Sequence, residues 1–190
     1  TAWRALFTDG GLQPGATVLV LGTGGVSIYA LQLAKAAGAR VIATSSSAER
    51  LARLTALGAD LVINYKEQPE WGQAALAFTG GIGVDHVIEV GGPNTLPQSL
   101  IAARTGGHLA MIGAVGGWDG HIPFMPVQAK RLRLQGVTVG SRQDQIALVR
   151  AMEASGIKPV IDSSFALADL ADAFRHMAAG KHFGKICIAV

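Results

Sequence analysis

The sequence predicts an α/β protein built on a doubly wound parallel sheet, with helices on both faces in three αβα layers. Three observations lead there. Short apolar runs recur along the chain with helical stretches between them, the pattern of parallel strands buried on both faces. The helical stretches tend to close at glycine, and one of them also opens at a capping serine, Ser47. The first apolar run passes directly into a glycine-rich turn and then a helix. With 190 residues, 49% hydrophobic and only 15% charged, the chain carries enough apolar material for one sizeable core. No linker, repeat or low-complexity tract divides it, so one domain over residues 1–190 is expected.

Strands are expected at Val18 to Leu21, Arg40 to Thr44, Leu61 to Ile63, Val84 to Val90, Gly107 to Ile112, Gly136 to Val139 and Lys185 to Val190. Between the first two, Val26 to Ala37 sets Ile28, Leu31 and Ala34 at helical spacing and stops at Gly38, a natural left-handed cap. Ser47 to Leu57 keeps Leu51, Leu54 and Leu57 on one face and ends at Gly58. These are two consecutive βαβ units. Later helices are expected at Pro69 to Phe78, Thr95 to Arg104, Asp144 to Ala154 and Ala168 to Ala178, the last closing at Gly180. Gly113 to Pro126 holds four glycines, two prolines and Trp118, and reads as a long loop after the fifth strand, where such sheets carry ligand contacts.

The turn Gly22-Thr23-Gly24-Gly25-Val26-Ser27 has the chemistry of a dinucleotide site. Gly22 permits the tight turn after the strand, and Gly24, lacking a β-carbon, lets backbone approach a pyrophosphate at the positive end of the following helix. Ser27 stands where the Rossmann fingerprint has its third glycine; it is small enough for close strand–helix packing but departs from the pattern. An NAD site commonly places an Asp or Glu at the end of the second strand to bind the ribose hydroxyls. This chain has Thr44, Ser45, Ser46 and Ser47 there. Small hydroxyls leave room for a 2′-phosphate, and Arg50, one turn into the next helix, can supply the charge, which favours NADP(H) over NAD(H). The alternative is that the serines only cap the helix and Arg50 is solvated.

The net charge of +3 comes from scattered basic residues with few aromatics among them, which sets nucleic-acid binding aside. The local cluster Lys130-Arg131-Leu132-Arg133 reads as the solvated end of a helix entering a strand. No apolar run reaches the ~20 residues a bilayer requires, and Thr1-Ala2-Trp3-Arg4 is no signal peptide, so no membrane partner and a soluble, cytoplasmic protein are expected. One cysteine, Cys187, excludes an internal disulfide and a cysteine-cluster zinc site in this chain. Of the five histidines, His86, His108, His121, His176 and His182, none forms a pair at metal-ligand spacing. No catalytic residue and no metal ligand is assigned.

Five stretches in order resemble one family: the glycine loop; Ala43-Thr44-Ser45-Ser46-Ser47; Leu57-Gly58-Ala59-Asp60-Leu61-Val62-Ile63-Asn64-Tyr65; Gly83-Val84-Asp85-His86-Val87-Ile88-Glu89-Val90-Gly91-Gly92; and His182-Phe183-Gly184-Lys185-Ile186. The chain resembles the cofactor-binding half of the medium-chain dehydrogenase/reductase superfamily, in its zinc-type alcohol dehydrogenase-like and quinone oxidoreductase-like branches. The resemblance covers essentially all of the chain. It implies a GroES-like catalytic domain on the N-terminal side that is absent here, with any zinc held there. It also implies hydride transfer between NAD(P)H and an alcohol/carbonyl pair or an activated alkene such as a quinone or enone. A small-molecule substrate, the N-terminal domain and a second copy are then the expected partners, the homodimer pairing through Leu132 to Val139. By the same resemblance Asn64 and Tyr65 flank the adenine ribose, Val90, Gly91 and Gly92 the adenosine side, and Ile112, Gly113, Ala114, Val139, Gly140 and Ser141 the nicotinamide. Lys185 is read as a solvated strand-start lysine. Two other classes stay open: a non-catalytic nucleotide-binding or redox-sensing module, and a methyltransferase, which the missing acid after the second strand disfavours.

Overall fold

The computed structural model describes every residue from Thr1 to Val190 except Trp118, so what the sequence suggests for that tryptophan lies outside the described residues. Six parallel strands form the main sheet: β1 (Thr17–Leu21), β2 (Arg40–Ser45), β3 (Leu61–Asn64), β4 (Val84–Glu89), β5 (Ala103–Met111) and β6 (Arg133–Gly136), in the order β3-β2-β1-β4-β5-β6. The helices between them are α1 (Gly25–Ala36), α2 (Ala48–Ala56), α3 (Trp71–Phe78), α4 (Leu96–Ala102) and α5 (Phe124–Ala129). A π-helical turn at Arg4–Thr8 precedes the sheet.

The period of two along a strand sorts side chains between the faces. In β1, Val18 and Val20 enter one core with Ile28 and Leu31 of α1, Leu54 of α2 and Leu6 of the π-helical turn. Leu19 and Leu21 enter the other with Trp71 and Ala75 of α3 and Leu96 and Leu100 of α4. Every residue of β1 is buried. This is why the strand reads as an uninterrupted apolar run rather than an alternating one.

The chain winds outward from β1 to β3 and then returns to β4 on the other side of β1. The loops leaving β1 and β4 therefore diverge, and a crevice opens beyond the carboxyl ends of these two strands.

Residues 137–190 are arranged differently. Helix α6 (Arg142–Ser155) starts at a capping box in which Ser141 and Asp144 each satisfy the other's backbone amide, and ends at Gly156 in the left-handed conformation. Strands β7 (Ile161–Ala166) and β8 (Lys185–Ala189), with α7 (Leu170–Ala178) between them, pair in parallel as a separate two-stranded sheet.

Several boundaries differ from the sequence-based expectation. The sixth strand lies at Arg133–Gly136 rather than Gly136 to Val139, because its neighbour β5 ends at Met111 and beyond it only the Val137 amide still finds the Met111 carbonyl. The last strand joins β7 and not the main sheet, and β7 went unread because Asp162, Ser163 and Ser164 break its apolar run. The helix expected at Thr95 to Arg104 stops at Ala102, where Lys130 Nζ donates to the carbonyls of Leu100, Ile101 and Ala103, each at 2.8 Å. The loop expected through Pro126 gives way to α5 at Phe124.

Candidate functional site

The crevice beside β1 is a cleft of about 730 Å³. Its floor is the turn from β1 into α1. Gly22 sits at φ +71°, and its amide donates to the Thr44 carbonyl at 2.9 Å, which pins the turn to the end of β2. Gly24 is the N-cap of α1 and offers no capping side chain, and no acidic residue occupies the helix's first turn. The first amides of α1 thus have no side-chain acceptor and form the positive end of the helix. A β-carbon built on Gly24 would meet no protein atom within 4 Å. At φ −72° the backbone does not require glycine either, so the space at Gly24 is open to a ligand.

The departure at Ser27 has a local explanation. Its hydroxyl donates to the Leu21 carbonyl at 2.6 Å, and the side chain is buried. A hydrogen bond ties the strand end to the helix where glycine would give close contact alone.

Across the floor lies the segment before β8. The Gly184 amide donates to the Thr23 carbonyl at 2.9 Å, and Gly24 and Gly184 form a parallel bridge. Lys185 is held beside the same turn: a β-carbon on Gly25 would lie 2.5 Å from its Cδ and 3.4 Å from its Nζ. The lysine read as a solvated strand start is exposed at the first position of β8, with its stem beside the N-terminus of α1.

On the β2 side, Thr44, Arg50 and Tyr65 line the cleft, and the Arg50 Nη2 donates to the Gly180 carbonyl at 2.7 Å. Arg53 stacks over the buried ring of Phe183, 3.9 Å from its centroid. On the β4 side the wall is Val90, Gly91, Asn94 and Thr95, with Ile112, Gly113 and Gly116 from the loop after β5. No Asp or Glu is among the described residues that line the cleft. The site is suited to a polyanion.

Of the residues singled out from sequence, Gly22, Thr23, Gly24, Gly25, Val26, Thr44, Arg50, Tyr65, Val90, Gly91, Ile112 and Gly113 converge on this cleft. Ser45 is buried at the end of β2, and Ser46, Gly92 and Ala114 stand beside the cleft without lining it. Asn64 is taken up by its own turn, donating to Glu67 Oε1 at 2.6 Å and accepting the Lys66 amide. Val139 is 61% exposed and Ser141 serves as the cap of α6, so with Gly140 they stand apart from the lining. Val115 and Gly116 fall in the loop read from sequence as a place of ligand contacts, whereas sequence reasoning missed Trp71, Asn94, Thr95, Gly180 and His182, which come from helix starts and loops far apart in the chain. Among the described residues no group of three or more His, Cys, Asp or Glu could hold a metal ion, and no zinc site is assigned to this chain.

Residues 25–154 match the family model described as zinc-binding dehydrogenase. The chain belongs to this family. A zinc-type alcohol dehydrogenase-like protein of Schizosaccharomyces pombe is 42% identical over 100% of this chain and 57% of its own length. A solved structure described as an NAD-dependent alcohol dehydrogenase superposes with a TM-score of 0.93 at 36% identity, covering 100% of this chain and 55% of that one. The 2-octenoyl-CoA carboxylase reductase CinF, solved with NADP and 2-octenoyl-CoA, gives 0.92 at 28% identity, covering 99% and 46%. The chain thus spans about half the length of the zinc-binding dehydrogenase relatives it matches.

Proposed function

We propose that this chain is the nicotinamide-cofactor-binding domain, over residues 1–190, of an oxidoreductase that transfers hydride between NAD(P)H and an alcohol/carbonyl or activated alkene substrate. The observation that carries this is the uncapped start of α1 at Gly24, open to a ligand and flanked by Lys185. The α1 amides hold the pyrophosphate, with the lysine ammonium beside it. The β2 side receives the adenosine end and the backbone after β4 and β5, across β1 from it, the nicotinamide end, which moves Val90, Gly91 and Gly92 from the adenosine side where the family resemblance set them. When bound, the nicotinamide supplies the hydride chemistry. The site residues named above from sequence are proposed for these roles to the extent that they line the cleft. The substrate is recognised largely by a GroES-like N-terminal domain, which also holds any zinc. A cytoplasmic homodimer is part of the same reading.

NADP(H) is the preferred cofactor. No acid stands at the end of β2 to accept from a ribose 2′-hydroxyl, while Arg50 lines that side of the cleft. Calorimetric titration of the protein with NADPH and with NADH at one ionic strength tests this. Tighter NADPH binding is expected. Tighter NADH binding overturns the preference, and binding of neither overturns the nucleotide assignment. Tight binding without hydride transfer in the full-length protein favours the non-catalytic module.

A further inference from the structure

Glu89, the last residue of β4, is fully buried, and it does not line the cleft. A carboxylate taken out of water is costly unless its oxygens accept hydrogen bonds. Its Oε1 accepts from the amides of Gly91 at 2.8 Å and Gly92 at 3.0 Å and from the Thr95 hydroxyl at 2.5 Å. Its Oε2 accepts from the Ser99 hydroxyl. All four donors lie in the ten residues that follow, so the turn from β4 into α4 is wound around this one side chain.

That turn is in turn locked to the loop after β5. The Gly116 amide donates to the Gly91 carbonyl at 2.8 Å, and Asn94 Nδ2 donates to the Gly116 carbonyl at 2.8 Å. A β-carbon on Gly113 would collide with the Val90 carbonyl. The turn after β4 and the loop after β5 thus form one wall of the cleft, and the carboxylate holds that wall from behind.

The geometry points to Glu89 as a positioning residue for the nicotinamide half of the cofactor. It touches no ligand; it holds the two loops against which that half lies. This rests on the reading of the cleft as a nicotinamide dinucleotide site.

The test compares NADPH with adenosine 2′,5′-bisphosphate, which lacks the nicotinamide half, on the full-length protein carrying Glu89→Leu or Glu89→Gln, with thermal melting to verify folding. Leucine leaves two buried amides without an acceptor, so Glu89→Leu is expected to weaken NADPH by about tenfold to a hundredfold. The bisphosphate should stay within about twofold of wild type, since every Glu89 contact lies on the other side of the cleft. Glutamine keeps one acceptor oxygen for the glycine amides and can donate to Ser99, so Glu89→Gln should restore most of the NADPH affinity. Unchanged NADPH affinity in Glu89→Leu, or equal loss of both ligands, overturns the positioning role. Where Glu89→Leu fails to fold, Ser99→Ala takes its place: a loss confined to NADPH supports the role and no loss overturns it. A wild-type protein that binds neither ligand refutes the dinucleotide reading itself, and the Glu89 role with it.

Discussion

Residues 17–111 and residues 142–189 are built from the same alternation of helix and strand, yet they differ in how they are held. In the first stretch the apolar residues of β1, β2 and β4 are sealed between helices on both faces. In the second, α6 has no fully buried residue, α7 has only Ala173, and Phe174 and Met177 on α7 are 57% and 49% exposed. Alternation of elements alone does not make a core; a strand needs cover on both sides. The glycine turn after β1 belongs to the first stretch, and the segment crossing it at Gly184 belongs to the other.

The largest expected contrast is between truncations in the two stretches. Leu19→Ala removes a fully buried side chain between β1 and the α3–α4 layer and should cost about 2–5 kcal/mol in denaturant unfolding. Phe174→Ala should stay within about 0.5 kcal/mol. Similar costs would erase the distinction.

Acid should act on the first stretch next. His86 and His108 face each other across β4 and β5 with their Nδ1 atoms 3.4 Å apart. Burial above all, then the neighbouring His108, brings His86 down to about 4 from 6.5, against the opposing pull of Asp85. The unfolded chain takes up a proton on His86 near pH 6.5 and the folded chain only near 4, so stability is full above about 6.5 and falls as pH drops toward 4. The loss is up to about 3 kcal/mol. His108 is lowered by burial in the same direction. Denaturant unfolding from pH 7 to 4 should show the decline, and His86→Phe should flatten it; an unchanged slope in that variant assigns the decline elsewhere.

The smallest effect sharpens the comparison locally. Ser141→Ala removes the hydroxyl half of the α6 capping box and should cost about 1 kcal/mol of that helix's stability. Amide exchange should quicken across α6 while the amides of β1 and β4 are unaffected. Equal acceleration in both would mean that the two stretches unfold as one.

The legibility of the sequence follows the same division. β1, α1 and β2 could be read almost residue by residue, because burial on both faces produces continuous apolar runs, Gly22 and Gly38 mark the turns after β1 and α1, and serines mark the one after β2. β7 could not, because a strand in a two-stranded sheet has no need of an apolar run, and Ile161-Asp162-Ser163-Ser164 carries none. Position at the carboxyl end of a strand pointed to Val139, Gly140 and Ser141, which do not line the cleft, but Gly22, Val90, Gly91, Ile112 and Gly113, which do, were legible from the same signal. Trp71, Asn94 and His182 were not, since only folding brings helix starts and distant loops together. Lys185 is the exposed strand-start lysine that the sequence suggests, but a basic residue there has no local signature of the turn its stem will lie beside. Glu89 left a usable signal: an acid inside the apolar run Val87-Ile88-Glu89-Val90, followed by two glycines, Thr95 and Ser99.

The bridge between Gly24 and Gly184 joins points far apart in the sequence. Such a contact carries the entropy of closing a very long loop, and it is made late. On the ribosome, β1 and the glycine turn emerge well before the strand start that braces them. The β1–α1 turn can therefore take its local shape during synthesis, but it acquires Lys185 and its bond to Gly184 only once the C-terminal segment has come back to meet it.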